Sequence, residues 1–173
     1  LGVWGLGLGQ GALRWGGPVM MAAALLRWRG AERPDGLIAE QGTLVGVMGS
    51  EARALSKAKG AGFVAQIWLE NDGDGARQDQ AAARWKNGPV QHLSGKRALA
   101  SFKGCSAQQI VVVSVDAPGI AGADCLIFDP AALRKTGALA LRKGARDWHI
   151  TTARARTGER LWTNWPKAPR DPQ

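Results

Sequence analysis

Tyrosine is absent from the chain, and cysteine and histidine occur only twice each. A structural zinc site usually takes four Cys or His ligands. Cys105, Cys125, His92 and His149 would all be consumed by one such site, and their spacing contains no CxxC or HxxxH element. Long hydrophobic runs are missing too. Leu1–Leu13 is uncharged and largely apolar and Trp15–Leu26 is apolar, but Arg14 parts them. A membrane-spanning helix needs about 20 apolar residues, and a single span across both stretches would hold Arg14 near the bilayer centre at a cost of several kcal/mol. No charged n-region or small-residue cleavage site marks a signal peptide. No initiating Met is present, so the chain is expected to begin inside a longer protein. Neither Ser94 nor Ser114 stands in a GxSxG elbow, and the GxGxxG-like run in "GVWGLGLGQG" follows no strand pattern, which leaves it without meaning as a nucleotide fingerprint. No internal repeat is visible.

What is abundant is positive charge. Among 173 residues, 23 Lys and Arg face 14 Asp and Glu, a formal net charge of +9, and the pI is about 10.4. Such a balance suits acidic partners: nucleic acid, anionic lipid headgroups or phosphorylated ligands. Eight tryptophans accompany it, and a hydrophobic content of 45 % is enough for a core. The length suggests one domain with an appendage.

The chain divides into a hydrophobic segment (residues 1–29), a linker "GAERPDG" (30–36), an α/β or α+β domain (37–165) and a Pro-rich tail (166–173). The front segment reads as a helix end, a turn at "RWGGP" and a short helix from Pro18, flanked by Trp15 and Trp28 as at a membrane interface. A buried or amphipathic helix is the alternative. "GLIAEQGTLVGVMG" reads as two strands around Gln41-Gly42. "AGFVAQIWLE" predicts a helix with Phe63, Val64, Ile67 and Trp68 on one face. "RQDQAAARWK" predicts a weaker helix, and "KRALASFK" fits strand or helix. The β-branched run "QIVVVSV" predicts a strand buried on both faces. "CLIFD" is a further strand, "PAALRKTG" a turn of helix, and "ALALRK" and "WHITTARAR" are closing strands. "DAPGIAGA" is too short for a helical crossover. Together these predict a mixed β-sheet with a few helices, preceded by a membrane-type helical segment.

Three groups of residues invite a functional reading. "WLENDGDGARQDQ" crowds Glu70, Asp72 and Asp74 around two glycines. Carboxylate oxygens can hold Ca²⁺, but no distal Glu closes the loop. A helix end, an Asn-Asp-Gly turn and a new helix start, with Asp74 or Asp79 at its positive end, is the plainer account. Cys105 and Cys125 bracket the "QIVVVSV" strand and form a disulfide if the domain faces an oxidising compartment, or are two small buried side chains. Basic residues gather toward the C-terminus, chiefly Arg134, Lys135, Arg142, Lys143, Arg146 and Arg154, with Trp148, Trp162 and Trp165 among them. Cations along a backbone and rings under the bases are how single-stranded nucleic acid is commonly held. An ordinary solvent face is the competing reading.

The order of segments "RPDGLIAEQGTLVGVM", "WLENDGDGARQ", "IVVVSVDAP…ADCLIFDPAALRKTGALAL" and "GERLWTNW" resembles the C-terminal region of bacterial ComEC proteins, polytopic inner-membrane proteins of DNA uptake. The last membrane helix of that family leads through a short Arg-Pro linker into a Pro-Asp strand, as Arg33, Pro34 and Asp35 do here. The resemblance implies a part of the channel that carries single-stranded DNA across the bacterial inner membrane in competence. It implies as partners single-stranded DNA, the membrane through residues 1–29, and other parts of the same channel. Many ComEC proteins end in a metallo-β-lactamase-like domain, whose HxHxDH stretch binds two metals and activates water. No such stretch occurs here. The expectation is a shortened, non-catalytic variant with no metal, no cofactor and no catalytic residue; a metal-dependent nuclease and a basic lipid-binding domain are the alternatives. Topology stays open: Arg27, Arg29 and Arg33 favour a cytoplasmic domain, and a disulfide favours the periplasm.

Overall fold

The structure is a computed structural model that describes residues 15–29, 33–117, 125–145 and 147–158. The chain separates into two compact units, residues 1–33 and 34–173.

In the first unit, helix α1 spans Gly16–Arg29. Pro18 lies in its first turn, where a missing N–H costs nothing. Trp15, Val19, Met20, Met21, Leu25 and Leu26 are exposed. A helix of 14 residues measures about 21 Å, short of the ~30 Å hydrocarbon thickness. No helix among the described residues is long and apolar enough to cross a membrane, so the membrane-type segment expected over 1–29 is not supported there; residues 1–14 lie outside the described residues.

The described residues of the second unit are α/β and form two sheets where a single mixed one was expected. β1 (Gly36–Ile38), β2 (Val45–Met48), β3 (Arg53–Leu55), β7 (Leu139–Lys143) and β8 (Trp148–Thr152) form an antiparallel sheet in the order β3-β2-β1-β7-β8. β4 (Val90–Leu93), β5 (Ile110–Val113) and β6 (Leu126–Phe128) form a parallel sheet in the order β4-β5-β6. The helices are α2 (Gly62–Asp72), α3 (Gln78–Ala83), α4 (Gly95–Ala100), α5 (Pro130–Thr136) and α6 (Ala153–Thr157). β5 and β6 run parallel although the connection over residues 114–125 is short. Its length, about a dozen residues, is the minimum for such a crossover. The stretch read as linker is partly built into the sheet, since the Asp35 carboxylate accepts from Lys143 N at 2.7 Å and the Asp35 carbonyl from Met48 N at 2.6 Å.

Burial follows the period of two in β5. Ile110 and Val112 pack with Ile38, Val45, Leu139 and Leu141 of the antiparallel sheet and with Leu133 of α5. Val111 and Val113 pack on the other side with Leu93, Ala98, Leu99, Phe102 and the two cysteines. All four β5 side chains are fully buried, as a strand covered on both faces requires. The far face of the antiparallel sheet is covered by α2 and α3 through Leu44, Leu55, Ala65, Leu69 and Ala81.

Two local readings are corrected and one open alternative is resolved. Ala65 and Leu69 line the buried face of α2, with Val64 and Trp68 beside them, whereas Phe63 and Ile67 are exposed. An alanine lets the helix approach the sheet closely, which a scan for large apolar residues overlooks. "KRALASFK" resolves to helix α4. The end of "WHITTARAR" leaves the sheet as α6, because the Thr152 hydroxyl accepts from Ala155 N at 3.0 Å and caps a new helix.

Candidate functional site

The acidic loop is a junction between two helices. α2 ends at Gly73, which is left-handed at φ 73°. Gly73 N donates to Glu70 O at 2.9 Å and Asp74 N to Leu69 O at 2.8 Å, the paired bonds of a Schellman cap. Glu70 accepts from the Gln66 amide at 2.7 Å, and the aspartates have taken arginines as partners. Asp72 pairs with Arg53, Asp74 with Arg84, and Asp79 with Arg77. The hydrogen bond from Arg84 holds the Asp74 carboxyl below the usual range, and that from Arg77 does the same for Asp79.

His92 lies on β4 between the two sheets, and hydrogen bonds engage both ring nitrogens. Nε2 stands 2.9 Å from the Gly42 carbonyl and Nδ1 2.7 Å from the Ser56 hydroxyl. A carbonyl only accepts, so Nε2 carries the proton and Nδ1 accepts from Ser56. The Ser56 oxygen accepts in turn from Val45 N at 3.0 Å. Burial away from water pushes the imidazole down to about 4, keeping it neutral. His149 stands apart on β8, paired with Arg142 of β7 and exposed. Among the described residues no group of three or more His, Cys, Asp or Glu side chains could hold a metal ion.

The basic cluster divides. Arg134 and Lys135 end α5, and the Arg154 guanidinium of α6 donates to the Arg134 carbonyl at 2.7 Å, which joins these three. Arg134 also meets Asp116 at 3.5 Å. Arg142 and Lys143 lie at the opposite end of β7, about 13 Å further along at the usual strand rise. Arg146 falls outside the described residues, as do Trp162 and Trp165. The sequence places Arg134, Lys135, Arg142 and Lys143 close together, but the run of β7 sets the first two and the last two at opposite edges.

A cleft lies at each edge. One, of about 860 Å³, opens beyond the carboxyl ends of the parallel strands, between Gln41 and Thr43 of the β1–β2 turn and Lys96, Ser114, Asp116 and Arg134. Clefts in that position commonly take ligands in parallel sheets. The other, of about 350 Å³, lies at the amino ends of β4 and β5, between the loops at Pro89 and Gln109 and the β7–β8 turn, with Lys143 and Trp148 in its lining. Trp148 is half-buried and packs against the core.

Cys105 and Cys125 are joined by a disulfide with 6.1 Å between Cα atoms. It ties the loop before β5 to the start of β6 and packs against Val111, Val113 and Leu93. Local sequence pattern does not mark β3, β4, the His92–Gly42 link or either cleft. "VQHLSG" places a histidine between apolar residues, a signal for a buried imidazole, but its partners lie 50 and 36 residues away.

Comparison of the chain with protein-family models, with curated proteins and with solved structures finds no match.

Proposed function

We propose that the chain is the C-terminal part of a ComEC-type DNA-uptake channel of the bacterial inner membrane. In this reading the domain from Pro34 has no catalytic role and supports the passage of single-stranded DNA, stabilising the channel and offering it positive charge. The observation that carries it is the ordered set of segments from Arg33-Pro34-Asp35 to the closing Trp-rich stretch. A net charge of +9 supports an acidic cargo. The arginine-paired carboxylates of the 70–79 loop and the doubly hydrogen-bonded His92 favour a structural use of residues that a metal nuclease would need free. The exposed apolar side chains of α1 suit lipid or neighbouring helices of the channel. The disulfide favours the oxidising, periplasmic side.

The test is removal of residues 34–173 from the protein in a naturally transformable host. Internalised single-stranded DNA should fall at least tenfold and return on complementation; unchanged uptake overturns the channel reading. Purified full-length chain should leave labelled single strands intact with Mg²⁺, Mn²⁺ or Zn²⁺. Cleavage that rises with added metal, and is absent from a preparation treated with chelator, overturns the non-catalytic part.

A further inference from the structure

We propose that the cleft at the amino edge of the parallel sheet is a recess for one nucleobase of a single strand, with Trp148 as its stacking surface and Lys143 at its mouth for the adjoining phosphate. The proposal rests on the reading of the cargo given above and adds the place and manner of contact. The lining combines an aromatic ring, a cation and neutral hydrogen-bonding groups. Trp148 and Lys143 face each other across the β7–β8 pair, register partners at the end of the ladder. Ser106, Gln108 and Gln109 share the lining, with Gly88 and Pro89. The volume, about 350 Å³, is at the lower end for small-ligand pockets and suits a base with its sugar better than a longer ligand. Asp147 also lines the cleft, and a carboxylate in the lining disfavours a polyphosphate inside relative to a neutral planar group.

Two features show a wall held in shape. The Gln109 amide spans the loops, with Nε2 donating to Gly88 O at 3.2 Å and Oε1 accepting from Ser106 N at 3.1 Å. Gln108, next to it, is left-handed at φ 63° without being glycine, a conformation that residues with a Cβ adopt rarely and that gathers at binding sites. Gln108 lines the cleft, and in this proposal its amide reads a base edge. Stacking on an aromatic ring is tolerant of sequence because every base has a π-face, which suits a strand of arbitrary sequence.

The experiment compares two labelled strands of twelve residues, oligothymidylate and its abasic counterpart, titrated into the full chain. The recess predicts at least tenfold tighter binding of the base-bearing strand. Trp148→Ala should remove that preference and Gln108→Gly should reduce it several-fold. Trp148→Phe should keep most of it, and Lys143→Gln should weaken both strands alike. Trp148 also packs on the core, so a second measurement uses the unaltered protein: a 5-iodouracil strand cross-linked by light should attach to the peptides carrying Trp148 or residues 106–109. Equal affinity for the two strands, or cross-links confined to the Lys96–Arg134 cleft, overturns the recess. Either result leaves the uptake experiment free to stand or fall separately.

Discussion

Arg53 is fully buried and forks its guanidinium onto Asp72 at the end of α2. Nε donates to Oδ2 and Nη2 to Oδ1 at 3.2 Å, while Nη2 also reaches the Pro34 carbonyl at 3.3 Å. One side chain therefore binds β3, α2 and the entry to β1 together. Nη1 is buried with no hydrogen-bond partner among the described residues. A buried pair is poor evidence of net stabilisation, but removing one partner strands the other charge, typically at 3–5 kcal/mol. Asp72→Asn should destabilise the domain by about 3 kcal/mol in urea unfolding. Arg53→Met combined with it should cost clearly less than the sum, with a coupling of about 2 kcal/mol. Simple additivity would show that the pair does not act as a unit.

The His92 link makes stability depend on pH in a defined window. The folded imidazole titrates at about 4, below its ordinary 6.5. Between these values the unfolded chain takes up a proton that the native fold refuses, so stability is full above 6.5 and lost as pH falls toward 4. A gap of that size corresponds to about 3 kcal/mol. His92→Gln should flatten this part of the urea-midpoint profile. The carboxylates of Asp74 and Asp79, held down by arginines, act below it. A profile with the same slope in both proteins would show that His92 is not the titrating group.

Reducing the Cys105–Cys125 bridge releases the crossover between β5 and β6. With 20 residues of separation, loop entropy gives a loss of about 3 kcal/mol. Reduction of the full chain should lower its unfolding midpoint accordingly, and protein taken from its native host under non-reducing conditions should have no thiol that reacts with a maleimide after denaturation. Two reactive thiols there would remove the argument for the oxidising side.

The elements set by local pattern were legible: the β1–β2 hairpin, α2, β5, β6, α5 and the β7–β8 pair all follow periodicity, β-branching or a Pro and Gly at a helix end. What could not be read is what depends on contacts distant in sequence. β3 is three residues long and holds Arg53, which looks like a solvent residue until Asp72 and Pro34 close on it. β4 contains a histidine and a glutamine that interrupt an apolar strand signature. The division into two sheets is a matter of pairing, which the alternation within single strands does not encode. The basic cluster divides for the same reason: Arg134 and Lys143 are near in sequence, but β7 runs between them.

That separation makes the electrostatics testable. Were the cations one patch, reversals within it would couple and their effects would not multiply. With two groups at opposite ends of β7, R134E/K135E and R142E/K143E should each weaken binding of oligothymidylate, and their effects should multiply in the quadruple variant. Each double reversal should also flatten the dependence of log affinity on log salt by about 1.4, at ~0.7 for each single-strand phosphate no longer neutralised. A full loss from either pair alone would point to a single site at that edge. Wild-type affinity and salt slope in both would show that these side chains form a solvated face without contact to the strand.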